Sequence, residues 1–185
     1  ITDVDFISTN GIARGKMEFM DGFAFRLTFQ NRIINSDLNS LANWTSTNFL
    51  TKQIKQDYPV GLARLNNQLL AFGEETVEPF YNAGNATGSP LSPIKHLHQR
   101  IGLIHTAASG GGHYYCLVGN ILYFVGRKAG GVNSAGVFSY DGSTFSKVSP
   151  PSIDKILSEQ SASIYSINTM GVNGKIAIAI SLTAR

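Results

Sequence analysis

The sequence predicts an all-β protein built of antiparallel, β-propeller-like blades, and three observations carry that expectation. Four apolar runs are each folded back by a two-residue turn, the turns recur at a regular interval, and helix signals are scarce. Met17–Met20 leads through Asp21-Gly22 into Phe23–Phe29, and Val60–Leu65 leads through Asn66-Asn67 into Gln68–Phe72. His113–Val118 leads through Gly119-Asn120 into Ile121–Val125, and Ser166–Val172 through Asn173-Gly174 into Lys175–Ile180. Asn, Asp and Gly tolerate the positive φ that tight hairpin turns require.

Counted at the second turn residue, the turns fall at 22, 67, 120 and 174, giving intervals of 45, 53 and 54 residues. Periods of about 40 to 50 residues suit a four-stranded propeller blade. A generic antiparallel meander is the alternative, because residue identities do not repeat strictly. Each interval leaves room for an outer hairpin, through Glu75–Tyr81 in the second unit and Gly136–Val148, turning at Asp141-Gly142, in the third. Residues 1–185 then form a single partial propeller of about three blades plus the start of a fourth. Propellers close with about 4 to 8 blades, so the missing blades are expected from further chain or a neighbouring copy. A first residue of Ile1 in place of Met, and an end at Arg185 just after an apolar alternation, are expected of a fragment or processed piece.

The remaining segments read simply. Asn82–Pro93, rich in Gly, Ser, Pro and Asn, predicts a loop. Ile153–Ser161 predicts one short helix with Ser152 as N-cap and Asp154 in the first turn. Gly110-Gly111-Gly112 predicts a flexible connector into the third hairpin.

Composition excludes several classes. The 185 residues are 43% hydrophobic, 10% aromatic and only 15% charged. That is far from the highly charged, aromatic-poor profile of disorder or of a long charged helix. No window approaches the ~18 apolar residues of a membrane-spanning helix. The first residues lack the basic and apolar regions of a signal peptide. A single cysteine, Cys116, rules out an intrachain disulfide and a zinc–thiolate cluster within the chain. It lies in an apolar run, where a buried, inert thiol is expected.

Net charge is +3, but its distribution is uneven: Pro79–Tyr140 holds no Asp or Glu, where an even spread would place about four. The same stretch carries Lys95, Arg100, Arg127, Lys128 and all four histidines. Such a stretch offers a positive face to DNA phosphates or an acidic partner. Otherwise these are ordinary exposed side chains on different sides of a β domain.

Chemistry-bearing constellations are sparse. His96-Leu97-His98 on a strand would put two imidazoles on one face, with His105 and His113 as further metal-ligand candidates, or they are exposed or hydrogen-bonded strand histidines. Glu74, Glu75 and Glu78 form the densest carboxylate cluster; on a strand, Glu74 and Glu78 share a face opposite Glu75. No partner base or nucleophile motif accompanies them, and a structural role is expected. The triglycine lacks the Lys-Ser/Thr of a P-loop, and Ser109 stands in no nucleophile elbow. Asn43-Trp44-Thr45 and Asn85-Ala86-Thr87 match the glycosylation sequon, a frequent chance match. The chain is therefore expected to be no enzyme, with no cofactor and no metal.

The string from Leu69 to Gly84 is the most distinctive in the chain. Its Phe72, Gly73, Glu74, Thr76, Glu78, Phe80, Asn82 and Gly84 resemble the "FGe-T-E-fyn-G" signature of the packaged-DNA stabilisation (tail accessory) proteins of short-tailed bacteriophages. Agreement extends in order from Asp21-Gly22-Phe23 through Ile34–Leu38, Trp44, Asn48-Phe49 and Asp57–Leu62 to Ile101-Gly102. The similarity covers roughly Lys16 to Leu157 and departs at Ala107–His113, where the glycine run stands. The resemblance implies a virion structural protein of the phage tail, made in the bacterial host cytoplasm, with a propeller-like body. Copies of itself, six in the family's usual ring, would assemble below the portal and adaptor. Such a ring helps close the channel, seals against a tail needle protein, retains packaged DNA and passes it at infection. The family has no catalytic residues to carry over. The alternative is a non-catalytic propeller module binding a ligand or glycan, with Trp44, Tyr81 and Tyr140 as stacking surfaces.

Overall fold

The computed structural model describes residues 12–104, 115–131, 134–159 and 164–182. Its strands form four antiparallel sheets in chain order. The first holds β1 (Ala13–Met20), β2 (Phe23–Thr28), β3 (Arg32–Asn35) and β4 (Phe49–Thr51). The second holds β5 (Pro59–Leu65), β6 (Gln68–Gly73), β7 (Val77–Asn82) and β8 (Leu91–Pro93). The third holds β9 (Ile101–Leu103), β10 (Tyr115–Val118), β11 (Ile121–Lys128), β12 (Ala135–Tyr140) and β13 (Phe145–Lys147). The fourth holds β14 (Ile164–Val172) and β15 (Lys175–Leu182). The first two are up-and-down meanders, the third adds β9 to the meander β10–β13, the fourth is a hairpin, and the sheets are propeller-like blades. No described helix is long and apolar enough to cross a membrane.

All four expected hairpins form at the expected turns. Asp21-Gly22 (φ 53° and 82°) and Asn173-Gly174 (φ 49° and 74°) are left-handed at both turn residues, the conformation that matches strand twist. Asn66 and Gly119 take φ of 53° and 58° at the first turn position. The third blade is built differently from the expectation. Leu103 pairs Gly126 while Tyr115 pairs Phe124, so β9 and β10 lie along the same edge of β11. Residues 105–114, between the two strands in sequence, lie outside the described residues; they include His105, Ser109, Gly110-Gly111-Gly112 and His113.

Three local readings are corrected. Asn82–Pro93 is not all loop: β7 runs through Asn82, and Leu91–Pro93 adds an outer strand held by Asn82↔Leu91 and Phe80↔Pro93. The second blade's third strand starts at Val77, since Gly73 N–H bonds Thr76 O at 2.8 Å and folds Glu74-Glu75 into a turn. The helix, α1, spans Pro151–Glu159, so Ser152 lies inside its first turn. Pro150 carbonyl accepts the first bonds, from Ile153 at 3.0 Å and Asp154 at 3.1 Å. Pro151 thus occupies the first helical position, where a missing N–H costs nothing. Asp154 sits in the first turn as expected, accepting from Ser149 Oγ and pairing Lys147 at 2.5 Å.

Period-two alternation distributes the core among three interfaces. Along β6, Leu69 and Ala71 face the first sheet, packing with Phe25, Leu27 and Ile33. Leu70 and Phe72 face the third, packing with Leu122, Phe124 and Phe138. Along β11 and β12 the other parity, Val125, Ala135 and Val137, meets Leu157 of α1 and Ile167, Ile178 and Ile180 of the fourth sheet. The leading strands pack in sequence, β1 on β5 and β10 on β14, as in a propeller whose first strands lie innermost. A polar link spans two of them: Lys16 Nζ sits 4.2 Å from the Tyr115 ring centroid, and Tyr115 Oη donates to Glu18.

Candidate functional site

The signature string lies at the end of the second blade where β6 turns into β7, and it closes over the segment that enters β5. Lys52, fully buried, pairs Asp57 at 2.7 Å and donates to Thr76 Oγ1 at 3.1 Å. Asp57 Oδ2 accepts from the Glu75 and Thr76 backbone N–H groups at 2.7 and 2.9 Å, and Oδ1 from Thr76 Oγ1 at 3.0 Å. Glu78, with no solvent exposure, accepts from the Gln53 N–H at 2.7 Å and the Ile54 N–H at 3.1 Å. Burial alone would raise the Asp57 pKa, yet Lys52 and the Glu75 and Thr76 donors outweigh it and hold the carboxyl below its ordinary value.

Most signature residues have a physical reason. A Cβ at Gly73 would stand 2.2 Å from Asp57 Oδ2, so the carboxylate needs glycine there. The Glu74 carbonyl carbon and oxygen lie 1.9 and 1.7 Å from where a Gly102 Cβ would be, which seats the turn on β9. Phe72 and Phe80 anchor the two flanking cores, Phe72 meeting Phe124 edge-on at 5.1 Å. Asn82 Nδ2 donates to Asp21 at 3.0 Å across the blades, and its Oδ1 accepts the Gly84 N–H at 2.9 Å. Gly84 takes φ 67°. Lys52 escaped the sequence reading, because only the fold brings its partners together across 5 and 24 residues.

This arrangement corrects the carboxylate reading. Glu74 and Glu75 stand in a turn, not on a strand; Glu74 is exposed, Glu75 pairs Lys55, and Glu78 is consumed by backbone donors. The histidine reading changes too. Lys95–Leu97 is a 3-10 turn, so His96 and His98 do not share a strand face. Successive residues there rotate by about 120°, which splays positions two apart. Burial depresses the His98 pKa, with Lys95 and His96 adding to the effect and Glu78 opposing it. Among the described residues no group of three or more His, Cys, Asp or Glu is placed to hold a metal. Cys116 is buried, and burial pushes its thiol pKa up, as an inert thiol requires.

The exposed basic residues gather at the same end of the sheets as the signature. Arg127 pairs Gly102, Lys128 pairs Ile101, and the Ala129 N–H bonds Arg100 O at 3.0 Å, which brings Arg100, Arg127 and Lys128 to one corner. Lys95 stands on the 3-10 turn five positions earlier. Glu74 and the Lys55–Glu75 pair share that end, so it is mixed in charge. Of the three expected aromatic platforms, Tyr81 is exposed and Trp44 half-buried. Tyr140 is fully buried, donates to Gln68 Oε1 at 2.5 Å and has its pKa pushed up to about 12 by burial and the Asp141 charge. It is core, not surface. Asn43 and Asn85 are exposed, Asn85 Nδ2 donating to Ser89 O and Leu91 O.

With that geometry in view, the comparison with protein families is decisive. The family model described as "Bacteriophage P22 Gp10, beta-propeller" matches residues 7–183. The chain belongs to this family. It is a family of bacteriophage tail proteins, and the chain is a phage structural protein with a β-propeller architecture and a virion component. Its matched span reaches past the region of resemblance seen in the sequence, into the fourth sheet. No curated protein matches the chain.

Proposed function

We propose that this protein is a non-catalytic part of the phage tail that helps close the portal channel and retain packaged DNA. It would do so as copies of itself in a ring, six in number, between the adaptor and the tail needle. The observation that carries this reading is the use made of the signature. Its Glu78 and Thr76, with Asp57 beside them, are spent on backbone N–H groups and a buried lysine, which stiffens a blade. A stiff wall suits retention, which needs packed subunits and a sealed lumen and no bond-making. The exposed corner of Arg100, Arg127 and Lys128, with Lys95 nearby, is the surface through which such a wall would touch DNA phosphates or an acidic neighbour.

Adding the complete gene product to DNA-filled heads that bear portal and adaptor tests this directly. The expected result is a six-fold ring by negative-stain microscopy together with a rise in nuclease-protected DNA. Heads that gain no protection, or a product that stays monomeric on them, would overturn it. A glycan-binding module is the weaker reading, since Tyr140 offers no stacking face.

A further inference from the structure

At the other end of the second blade from the β6–β7 turn, where the β1–β2 turn meets the loop between β7 and β8 and the signature ends at Asn82 and Gly84, lies a cavity of about 550 Å³. Its walls include Asp21, Phe23, Asn35, Asp37, Asn48 and Asn82. Their hydrogen bonds are unevenly committed. Each amide nitrogen has a partner: Asn48 Nδ2 on Asp37 Oδ1, Asn82 Nδ2 on Asp21 Oδ2 and Asn35 Nδ2 on Ser36 O, each at 3.0 Å. Asn85, at the rim, likewise gives its amide to Ser89 O and Leu91 O.

One acceptor lacks a partner. Asn35 is only 1% exposed, yet its Oδ1 has no hydrogen-bond partner. Donation from its Nδ2 to Ser36 O fixes which way the amide points, so the orphan is an acceptor. A buried acceptor left unpaired is destabilising, and a donor that reached it from the cavity would offset that cost. Two carboxylates stand in the same wall, and among the described residues no Lys or Arg lines it. Beside them the half-buried Phe23 ring packs at the cavity wall, 6.1 Å from Phe25.

We infer that this cavity is a binding site for a cationic, donor-rich side chain, namely an arginine presented by a partner polypeptide. A guanidinium carries five N–H donors and no acceptor, which suits a wall that holds two carboxylates and the unpaired Asn35 Oδ1. Its fixed charge answers Asp21 and Asp37, and its flat face suits stacking on a phenyl ring. A volume of 300–1,000 Å³ is usual for small-ligand sites, so the cavity admits a side chain with flanking backbone and is far larger than one metal ion needs.

The test titrates the full chain with N-acetyl-arginine methylamide, with its neutral citrulline counterpart, with calcium alone and with a neutral oligosaccharide, followed by NMR. The expected result is saturable shifts in the Asn35, Asn48 and Asn82 side-chain amides, with citrulline at least about tenfold weaker, equivalent to about 1.4 kcal/mol. Asp21→Asn keeps a residue that tolerates the left-handed turn and should weaken arginine binding about tenfold without altering the fold. Asp37→Asn is the second variant, read alongside circular dichroism because Asp37 also accepts from Thr45 and Asn48. Equal binding of citrulline, preference for calcium or the oligosaccharide, or no arginine shift at all would each overturn the assignment.

Discussion

Strands β6 and β15 are composed alike and fare differently. Both follow a two-residue turn containing Asn, and both are mostly aliphatic: Gln68-Leu69-Leu70-Ala71-Phe72-Gly73 and Lys175-Ile176-Ala177-Ile178-Ala179-Ile180-Ser181-Leu182. Yet β6 is buried at every position after Gln68, while no residue of β15 is buried and Ile176 is 66% exposed. The difference lies in what flanks them. A four-stranded sheet covers one face of β6 and a five-stranded sheet the other, whereas among the described residues the β14–β15 pair packs on the third sheet alone. Where that pairing runs out, α1 and β15 leave an apolar cavity of about 410 Å³ lined by Val148, Ile153, Ile156, Ile178 and Leu182. The hairpin pattern therefore specifies pairing, and neighbouring sheets supply burial.

The sharpest way to break the second blade is to orphan its buried charge. Lys52→Ala leaves Asp57 without its cation at a site where the pair's side chains are 0% and 2% exposed. Removing one partner of a buried pair typically costs about 3–5 kcal/mol. Chemical denaturation should show that loss, and Lys55→Ala, at the exposed Lys55–Glu75 pair, should cost at most about 1 kcal/mol. Equal effects would mean that the buried network adds nothing special.

The contrast explains what could be read from the sequence. Hairpins were legible because a turn's φ is a local property, and Asp21, Asn66, Gly119 and Asn173 announce it themselves. The outer strands β3, β4 and β8 were hidden, being three or four residues long and specified by pairing to a neighbour. His96 and His98 were placed on a strand because nothing local reveals that the Ile94 N–H bonds Pro79 O at 2.8 Å and turns the chain. Tyr140 looked like surface beside Asp141-Gly142, although its strand parity sends it into the core with Phe138. Of the site, the signature's residues were visible but their purpose was not. Lys52 has no marker in the string that its ammonium is buried.

A matched pair of truncations measures the burial difference itself. Leu70→Ala, at a fully buried position, should cost about 2–5 kcal/mol, the range for large-to-small changes in a core. Ile176→Ala should stay within about 0.5 kcal/mol, as surface substitutions do. Similar losses at both sites would show that Ile176 is covered in solution, as it would be by an added strand or a neighbouring copy.

Acid provides a gentler probe of the same blade. Asp57 has its folded pKa held below the ordinary carboxylate value. Its ionised form is thus favoured by folding, and the stabilisation is fully present above about pH 4–5. As pH falls through the unfolded and then the folded value, the native state must take up a proton it resists, and stability declines. Urea midpoints measured from pH 6 down to pH 3 should show that decline, and Asp57→Asn should flatten it while lowering stability at neutral pH. An unaltered acid limb in the variant would assign the decline to other carboxylates.

The smallest effect on stability should come from the charged corner, and there the readout is association. Lys95, Arg100, Arg127 and Lys128 are all exposed, so replacing the four with Gln should change stability by no more than about 0.5 kcal/mol. If these side chains meet phosphates, each lost contact should reduce the slope of log affinity against log salt by about one. Arg64→Gln is the control, an exposed charge beside the Asn66-Asn67 turn at the opposite end of the blade. A slope that falls in the fourfold variant and holds in the control would assign the contact to the corner where β9 meets β11. The same slope in both would mean that the acid-free stretch is an accident of composition, and that the molecule's polarity lies in how its blades are covered.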